Sequence, residues 1–177
     1  MLDNVKEIFR RKYLKKYSSD VDTGFVPISS VRSAVAFIDV EDTSFDKCKE
    51  DILAFFKEHG IKGEIFFFDF RKIDSQERLI TSITNTILKK DLNWCDKPSD
   101  EKVALMLGSD PDLFLSLVNS TDFPIEFMAK CSRARFKIGR RQLPGNTFDL
   151  VISDPSDKVV SEAEIFTGVK LYLDKIG

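Results

Sequence analysis

Five basic residues lie within nine positions in the C-terminal third of the chain. Over residues 133–138 the basic side chains alternate with apolar ones. On a β-strand successive side chains point to opposite faces, so one face would be cationic and the other apolar. Arginine matches phosphate groups with paired hydrogen bonds, and a basic strand beside an aromatic residue can hold single-stranded nucleic acid. We therefore expect a phosphorylated or nucleic-acid ligand at Arg133, Arg135, Lys137, Arg140 and Arg141.

The same basic segment has two other interpretations. Charged residues on an edge strand prevent one sheet from pairing with another, and a charged strand can also form a protein interface. The segment follows an apolar run at 124–129 too closely for a crossover helix to fit between them. We therefore expect 133–138 to be a continuation of that strand or an antiparallel edge strand.

A second group of residues that could do chemistry consists of carboxylates at predicted strand ends. Asp39 ends one apolar run, Asp42 lies just beyond it, and Asp69 ends the next run. Ligands of open α/β sheets bind outside the carboxyl ends of the strands, and Mg²⁺ prefers oxygen ligands. These three aspartates predict the alternative function, a Mg²⁺-dependent reaction on a phosphate ester. The spacing of Asp39 and Asp42 differs by one residue from the paired aspartates of haloacid-dehalogenase phosphatases.

Other catalytic and cofactor motifs are missing from the sequence. Neither G-x-x-x-x-G-K-[ST] nor G-x-G-x-x-G occurs, so the sequence predicts no particular nucleotide or cofactor. The one histidine, His59, lies at the C-terminus of a predicted helix, and its neighbours in sequence do not support a catalytic site with a nucleophile. The cysteines, Cys48, Cys95 and Cys131, are too widely spaced for a disulfide framework or a metal knuckle, and we expect Cys48 and Cys131 to be buried thiols.

Length and composition describe an ordinary globular protein. The 177 residues carry a net charge of -2 and are 42% hydrophobic, which predicts one domain over 1–177 and argues against a wholly basic nucleic-acid-binding domain. The first residues lack the apolar core of a signal peptide, and no apolar run approaches the ~20 residues of a membrane span. We expect a cytoplasmic protein; its oligomeric state does not follow from the sequence.

The N-terminal segment predicts a basic amphipathic helix. Apolar and aromatic residues recur at helical spacing over 2–17, from Val5 to Tyr17, and cations crowd the second half. A helix docked on the domain with a solvated basic face explains this pattern. A scaffold or membrane-surface protein that uses helix 2–17 is the third functional hypothesis, because basic amphipathic helices also bind membranes. Residues 18–32 form a polar connector.

The rest of the chain predicts alternating strands and helices. We assign strands to residues 33–39, 64–69, 102–107, 124–129, 133–138 and 148–152, and helices to residues 44–59, 75–90, from 110 onward, and 161–176. This alternation predicts a three-layer α/β sandwich with a mostly parallel central sheet, Rossmann-like or flavodoxin-like. The strand order does not follow from the sequence.

Two resemblances concern the C-terminal third. Phe148-Asp-Leu-Val-Ile-Ser-Asp-Pro155 resembles a strand of amino methyltransferases, although Ser156 replaces their second proline and no glycine-rich cofactor loop follows Asp39. From about 128 to 176 the chain resembles a bacterial family of unknown function through residues 134–140, Phe148–Ile152 and Glu164–Phe166. This second resemblance implies a bacterial cytosolic protein and carries no catalytic residues.

Overall fold

The fold is an α/β sandwich built on one parallel sheet. A computed structural model describes residues 1–72 and 82–177. Its helices are α1 (Leu2–Tyr17), α2 (Phe45–Glu58), α3 (Asp100–Leu107), α4 (Phe123–Cys131) and α5 (Glu162–Ile176). Its strands are β1 (Ser33–Asp39), β2 (Lys62–Asp69), β3 (Thr86–Leu88), β4 (Leu113–Ser116), β5 (Phe136–Gly139) and β6 (Leu150–Val151), with short 3-10 turns at Ile28–Ser30 and Lys89–Asp91.

The strands lie in the order β3-β2-β1-β4-β5-β6, and every neighbouring pair is parallel. The chain builds outward from β1 to β3 and then returns to place β4 on the other side of β1. The order therefore reverses between β1 and β4, as in doubly wound folds. The expected Rossmann-like three-layer sandwich is confirmed, and the strand order is now known.

Alternating residues of β1 divide the core into two layers. Ala34, Ala36 and Ile38 face α2 and α5, whereas Val35 and Phe37 face the layer that contains α4. On this second face Phe37 lies 5.4–5.6 Å, between ring centroids, from the three other phenylalanines at the centre of the sheet, Phe66, Phe68 and Phe114. Phenylalanine carries no polar atom that needs a partner, so it suits this dry interior.

Both ends of the chain have the predicted helices. Helix α1 packs on α4 through the half-buried side chains of Tyr13, Leu14 and Tyr17. Helix α5 begins with a capping box, in which the Ser161 hydroxyl accepts from the Glu164 N–H and the Glu164 carboxylate accepts from the Ser161 N–H. Within the described ranges, no helix combines the length and the apolar character needed to cross a bilayer.

Between β2 and β5 several predicted elements are wrong. Residues 102–107 belong to helix α3, the predicted helix from 110 onward contains strand β4, and 124–129 lie in helix α4. The predicted helix 75–90 falls partly outside the described residues. Its described end is instead the short strand β3 followed by a 3-10 turn.

The basic segment is neither an antiparallel strand nor a sheet edge. Strand β5 begins only at Phe136 and pairs in parallel with β4 on one side and β6 on the other. Arg133 and Arg135 therefore precede the strand. The expected continuous cationic face over 133–138 does not form, because only Lys137 of the three basic residues is in the strand.

Candidate functional site

Arg133 and Arg135 lie on the surface and are paired with acidic residues. The Arg133 guanidinium contacts Asp20 at 2.9 Å and Asp110 at 3.2 Å. The Arg135 guanidinium donates two hydrogen bonds to one oxygen of Asp112, at 2.7 and 3.0 Å. Both arginines keep about half of their side-chain surface exposed, so they could still contact a ligand, but only in competition with these carboxylates.

Arg140 is buried and forms part of the structural framework. It follows β5 with 1% of its surface exposed, and its guanidinium donates to both oxygens of Asp154, at 2.6 and 3.2 Å. It also donates to the carbonyls of Leu117 and Val160. Leu117 follows β4, Asp154 follows β6 and Val160 precedes α5, so Arg140 joins these three segments at the carboxyl edge of the sheet.

Arg141, the next residue, is exposed. It lines a shallow cavity of about 390 Å³ together with residues 153–159. Asp154 and Asp157 share this cavity, and Lys158 adds a second cation. The three arginines are close in sequence but have different surroundings: Arg133 is exposed and ion-paired, Arg140 is buried, and Arg141 is exposed beside a cavity.

Lys137, in β5, lines a second cavity of about 360 Å³, next to the turn that precedes β6. Lys130, near the end of α4, lines the same cavity. Ser18 and Ser19, which follow α1, line it as well. The turn before β6 closes the cavity with residues 144–147, where Gly145 has a φ of 75° that favours glycine. Two lysines and several residues with hydroxyl groups therefore line this space.

The ammonium of Lys137 is buried and poorly neutralised. The residue is 4% exposed, and its Nζ donates one hydrogen bond, of 2.8 Å, to the carbonyl of Ala129. Within the described ranges no carboxylate forms an ion pair with it; Asp149 interacts with it at longer range. Burial lowers the pKa of Lys137 to about 8, because desolvation disfavours the charged form. An ammonium has three donors, so Lys137 is short of acceptors.

Lys130 differs from Lys137 in having a partner. Its Nζ lies 2.6 Å from a carboxylate oxygen of Glu126, one turn earlier in α4. Its backbone carbonyl accepts from the N–H of Ser19, which fixes the end of α1 at the cavity rim. Thr147 donates its hydroxyl to the carbonyl of Pro144 and so holds the turn closed.

The three strand-end aspartates each have other partners. Asp39 accepts from the Glu41 N–H, and Asp69 accepts two hydrogen bonds from the Arg71 guanidinium at 2.9 Å. Asp42 accepts from the Ser44 N–H and hydroxyl and from the Glu162 N–H. Burial is the largest effect on Asp39 and raises the pKa of its carboxyl. No group of three or more His, Cys, Asp or Glu residues within 1–72 and 82–177 is arranged to hold a metal ion.

Glu162, which the sequence reasoning did not single out, is a buried acid beside these aspartates. It is 1% exposed; one carboxylate oxygen accepts from the Asp39 N–H at 2.8 Å, and the other has no partner among the described residues. Burial raises the pKa of Glu162 to about 9, with Asp42 and Asp39 adding repulsion. The carboxyl group is therefore protonated at neutral pH. Glu162 is the first residue of α5, between Ser161 and Glu164 of the capping box, and this position does not indicate a buried side chain.

A larger cavity, of about 460 Å³, lies at the carboxyl edge between the segments that follow β2, β3 and β4. Open α/β sheets usually bind ligands at this edge. Its two cations are outnumbered by four carboxylates, and Arg10 already contacts Asp96. This cavity is therefore a poorer match for an anion than the cavity of Lys137. Its charged lining residues are Glu7, Arg10, Lys89, Asp96, Asp122 and Glu126.

Sequence reasoning found Lys137 but missed its neighbours. Lys130 was overlooked because residues 124–129 were assigned to a strand, which would have placed the following residue in a turn. The contribution of Ser18 and Ser19 depends on how α1 crosses α4, and no local pattern encodes that crossing.

Comparison with known proteins gives a family and no function. No curated protein and no solved structure matches this chain. A family model matches residues 6–176, which extends the similarity seen at 128–176 to nearly the whole sequence. The chain therefore belongs to a family of unknown function, DUF6913.

Proposed function

We propose that this protein binds a small anionic ligand, such as a phosphorylated metabolite, in the cavity lined by Lys137. One observation carries the proposal: Lys137, a residue that is 4% exposed, lines a cavity, and among the described residues its ammonium has a single carbonyl acceptor. A buried charge without a counter-charge is costly. A bound anion would supply the missing acceptors and the missing charge.

The size and lining of the cavity favour a small molecule over a nucleic acid. About 360 Å³ lies within the range of small-ligand sites. The hydroxyl groups of Ser18 and Ser19 can donate to phosphate oxygens, as can the second ammonium, Lys130. The hydroxyls of Thr23 and Thr147 already donate to Asp149 and to the Pro144 carbonyl. A nucleic acid would need an extended basic surface, whereas Arg133 and Arg135 are already paired with aspartates.

The proposal assigns different roles to the five basic residues. Lys137 contacts the ligand, and Lys130 assists it from α4. Arg140 maintains the carboxyl edge of the sheet through Asp154. Arg133, Arg135 and Arg141 lie outside the cavity and contribute to the electrostatic field around it.

Ligand binding should take up a proton near the pKa of Lys137. In the free protein that pKa is about 8, and an anion stabilises the ammonium form. Affinity should therefore fall as the pH rises above about 8, where the free protein increasingly holds a neutral amine.

Titration calorimetry with inorganic phosphate, a sugar phosphate and a nucleotide tests the proposal. Repeating the titration near pH 8 in buffers of different ionisation enthalpy measures the proton uptake. Lys137→Met should abolish binding, Lys130→Met should weaken it, and the matched control Lys57→Met, exposed on α2, should leave it unchanged.

Two outcomes would contradict the assignment. If none of the phosphorylated probes binds, or if Lys137→Met binds as tightly as the parent protein, the cavity is not an anion site. If binding is lost instead in the double variant Arg133→Gln, Arg135→Gln, the ligand uses the surface arginines. A single-stranded oligonucleotide included among the probes would then identify a nucleic-acid ligand.

A further inference from the structure

One face of helix α1 is exposed to solvent. Tyr13, Leu14 and Tyr17 pack on the domain, but no residue of α1 is fully buried. The first half of the helix carries Val5, Ile8 and Phe9, which are 39%, 53% and 38% exposed. The apolar stripe seen in the sequence is therefore divided: its second half docks on α4, and its first half faces solvent.

Lysines continue the same exposed face toward the end of the helix. Residues three and four positions apart lie on one side of a helix, so Ile8 is in line with Lys12 and Lys15, and Phe9 with Lys12 and Lys16. All three lysines are exposed, and within the described ranges none forms an ion pair with a carboxylate. The Lys12 ammonium lies 5.3 Å from the centre of the Phe9 ring.

A separate loop adds the one tryptophan of the chain to this surface. Trp94 is 50% exposed, and its ring meets that of Phe9 edge to face, with 5.1 Å between centroids. The loop is held firmly on α1, because Arg10 donates to the Cys95 carbonyl and to the Asp96 carboxylate. Within the loop, the Asn93 side chain accepts from the N–H groups of Cys95 and Lys97.

We propose that this α1–Trp94 surface binds anionic membranes peripherally. The surface is defined by Val5, Ile8, Phe9, Lys12, Lys15, Lys16 and Trp94. Exposed aliphatic and aromatic residues beside lysines are the composition of interfacial helices, whose apolar side enters the headgroup region while the cations meet acidic lipids. Tryptophan suits that boundary because its ring is apolar and its N–H is polar.

The charge of the α1–Trp94 surface favours an anionic membrane over a second copy of the chain as its binding partner. Two copies meeting through this surface would bring their three unpaired lysines together, and like charges at an interface are repulsive. An anionic surface has the complementary charge. The whole chain has a net charge of -2, so an anionic surface attracts local basic regions such as this face and not the protein as a whole, which favours a defined orientation.

The single tryptophan makes the test direct. Mixed with phosphatidylcholine–phosphatidylserine vesicles, the protein should co-sediment, and Trp94 emission should shift to shorter wavelength. Pure phosphatidylcholine vesicles should bind far less, and high salt should release the protein. Replacing Lys12, Lys15 and Lys16 with glutamine should weaken binding to the mixed vesicles by about 100-fold.

Variants separate this surface from nonspecific attachment. Ile8→Ser with Phe9→Ser should lose co-sedimentation and keep the native circular dichroism, because both residues are exposed. The control pair Leu53→Ser and Lys57→Gln changes an exposed apolar residue and an exposed lysine on α2, in the opposite layer, and should bind like the parent.

Three results would overturn the proposal. The first is that the protein binds neither vesicle; an acidic protein partner would then be the better candidate for this surface. The second is co-sedimentation without a change in Trp94 emission, which would place the contact elsewhere. The third is a concentration-dependent shift of Trp94 emission without vesicles that Ile8→Ser abolishes, which would identify a second copy as the occupant.

Discussion

Arg140 and Asp154 form an ion pair inside the protein, with two hydrogen bonds between the guanidinium and the carboxylate. The side chains are 1% and 9% exposed. Asp154 also accepts from the Val160 N–H, so the pair fixes the loop between β6 and α5. Asp154, which with Pro155 resembles a methyltransferase turn in sequence, here forms the ion pair with Arg140.

Breaking this ion pair should destabilise the protein strongly. Asp154→Asn leaves the buried Arg140 without its counter-charge, and we expect the free energy of unfolding to fall by about 3 kcal/mol or more. Urea denaturation measures the change, and Asp157→Asn, exposed in the same loop, is the control. Equal stability of the two variants would show that Arg140 is neutralised in another way.

The same pair predicts a dependence on acid. The Arg140 guanidinium lowers the pKa of Asp154 from its ordinary 3.8 to about 2. A carboxyl whose pKa is lower in the folded state stabilises the fold above its unfolded value and loses that contribution as the pH falls through the folded one. The contribution should therefore disappear between about pH 4 and pH 2, and acid denaturation of Asp154→Asn should lack this part of the slope.

Glu162 should have the opposite effect at higher pH. Its pKa is raised to about 9 in the folded protein, so between the ordinary value of 4.5 and 9 the folded state holds a proton that the unfolded state has released. Stability then falls with rising pH, by up to about 1.4 kcal/mol per unit. Glu162→Gln keeps an acceptor for the Asp39 N–H and removes this titration.

Urea denaturation at several pH values tests this prediction. We expect Glu162→Gln to be more stable than the parent protein at about pH 8, with the difference shrinking toward about pH 5. Glu164→Gln is a poor control because Glu164 belongs to the capping box, whereas Glu58→Gln on the surface of α2 is suitable. A difference that does not change with pH would show that Glu162 is ionised in the folded protein.

Lys137 should reduce stability in the absence of ligand. Lowering its pKa from 10.5 to about 8 corresponds to about 3 kcal/mol at neutral pH, offset in the variant by about 1 kcal/mol for the lost hydrogen bond to Ala129. Lys137→Met should therefore raise the free energy of unfolding near pH 7. The gain should vanish between about pH 8 and pH 10.5, because there the folded parent protein has released the proton of Lys137 while the unfolded chain still holds it, so the stability of the parent rises with pH.

Urea denaturation of ligand-free Lys137→Met and of the Lys57→Met control tests whether Lys137 lowers the stability of the free protein. A less stable Lys137→Met protein at neutral pH would mean that the ammonium contributes to the fold. The cavity would then be a structural feature, and the case for a bound anion would lose its main support.

Gly139 allows the Phe148 ring to pack against β5. A Cβ at this position would lie 2.3 Å from the ring, which is buried in the core. Gly139→Ala should cost about 1–3 kcal/mol, since overpacking forces neighbours out of their preferred positions. Combining it with Phe148→Leu should recover part of the loss in a double-mutant cycle. Gly24→Ala, where a Cβ meets no atom, is the control.

The first half of the sheet could be predicted because its elements are long and have clear boundaries. Seven apolar-rich residues form β1, an amphipathic stripe forms α2, and Gly60 with a φ of 64° ends the crossover. The error began at β3, where only Thr86–Leu88 form the strand and two lysines follow immediately. Such a short strand gives no periodic signal.

Because the sequence does not predict β3, the next three elements were predicted with strand and helix exchanged. The alternation of strand and helix was then displaced by one element, so the short apolar runs at α3, β4 and α4 each received the wrong type. Runs of this length fit either structure, and their position in the alternation had to decide. Ser99, whose hydroxyl accepts from the Lys102 N–H, was the local signal for α3.

The candidate site could be predicted only in part for a related reason. The cluster of basic residues indicated Lys137, but strand position decides which cations are buried and which are paired. Once β5 starts at Phe136, Arg133 and Arg135 lie outside the sheet while Lys137 lies within it. The aspartates that neutralise the two arginines come from other segments.

Helix α5 begins on groups supplied by the loop after β1. Asp42 accepts from the Glu162 N–H and Ser44 from the Ala163 N–H, across 120 and 119 residues of sequence. In many doubly wound proteins the loop after the first strand binds phosphate groups, whereas here it accepts hydrogen bonds from the first residues of α5. During synthesis the whole sheet therefore emerges before the loop between β1 and α2 can form its native contacts with α5. We expect this closure to be a late step of folding and to make the ribosome-bound chain dependent on chaperones.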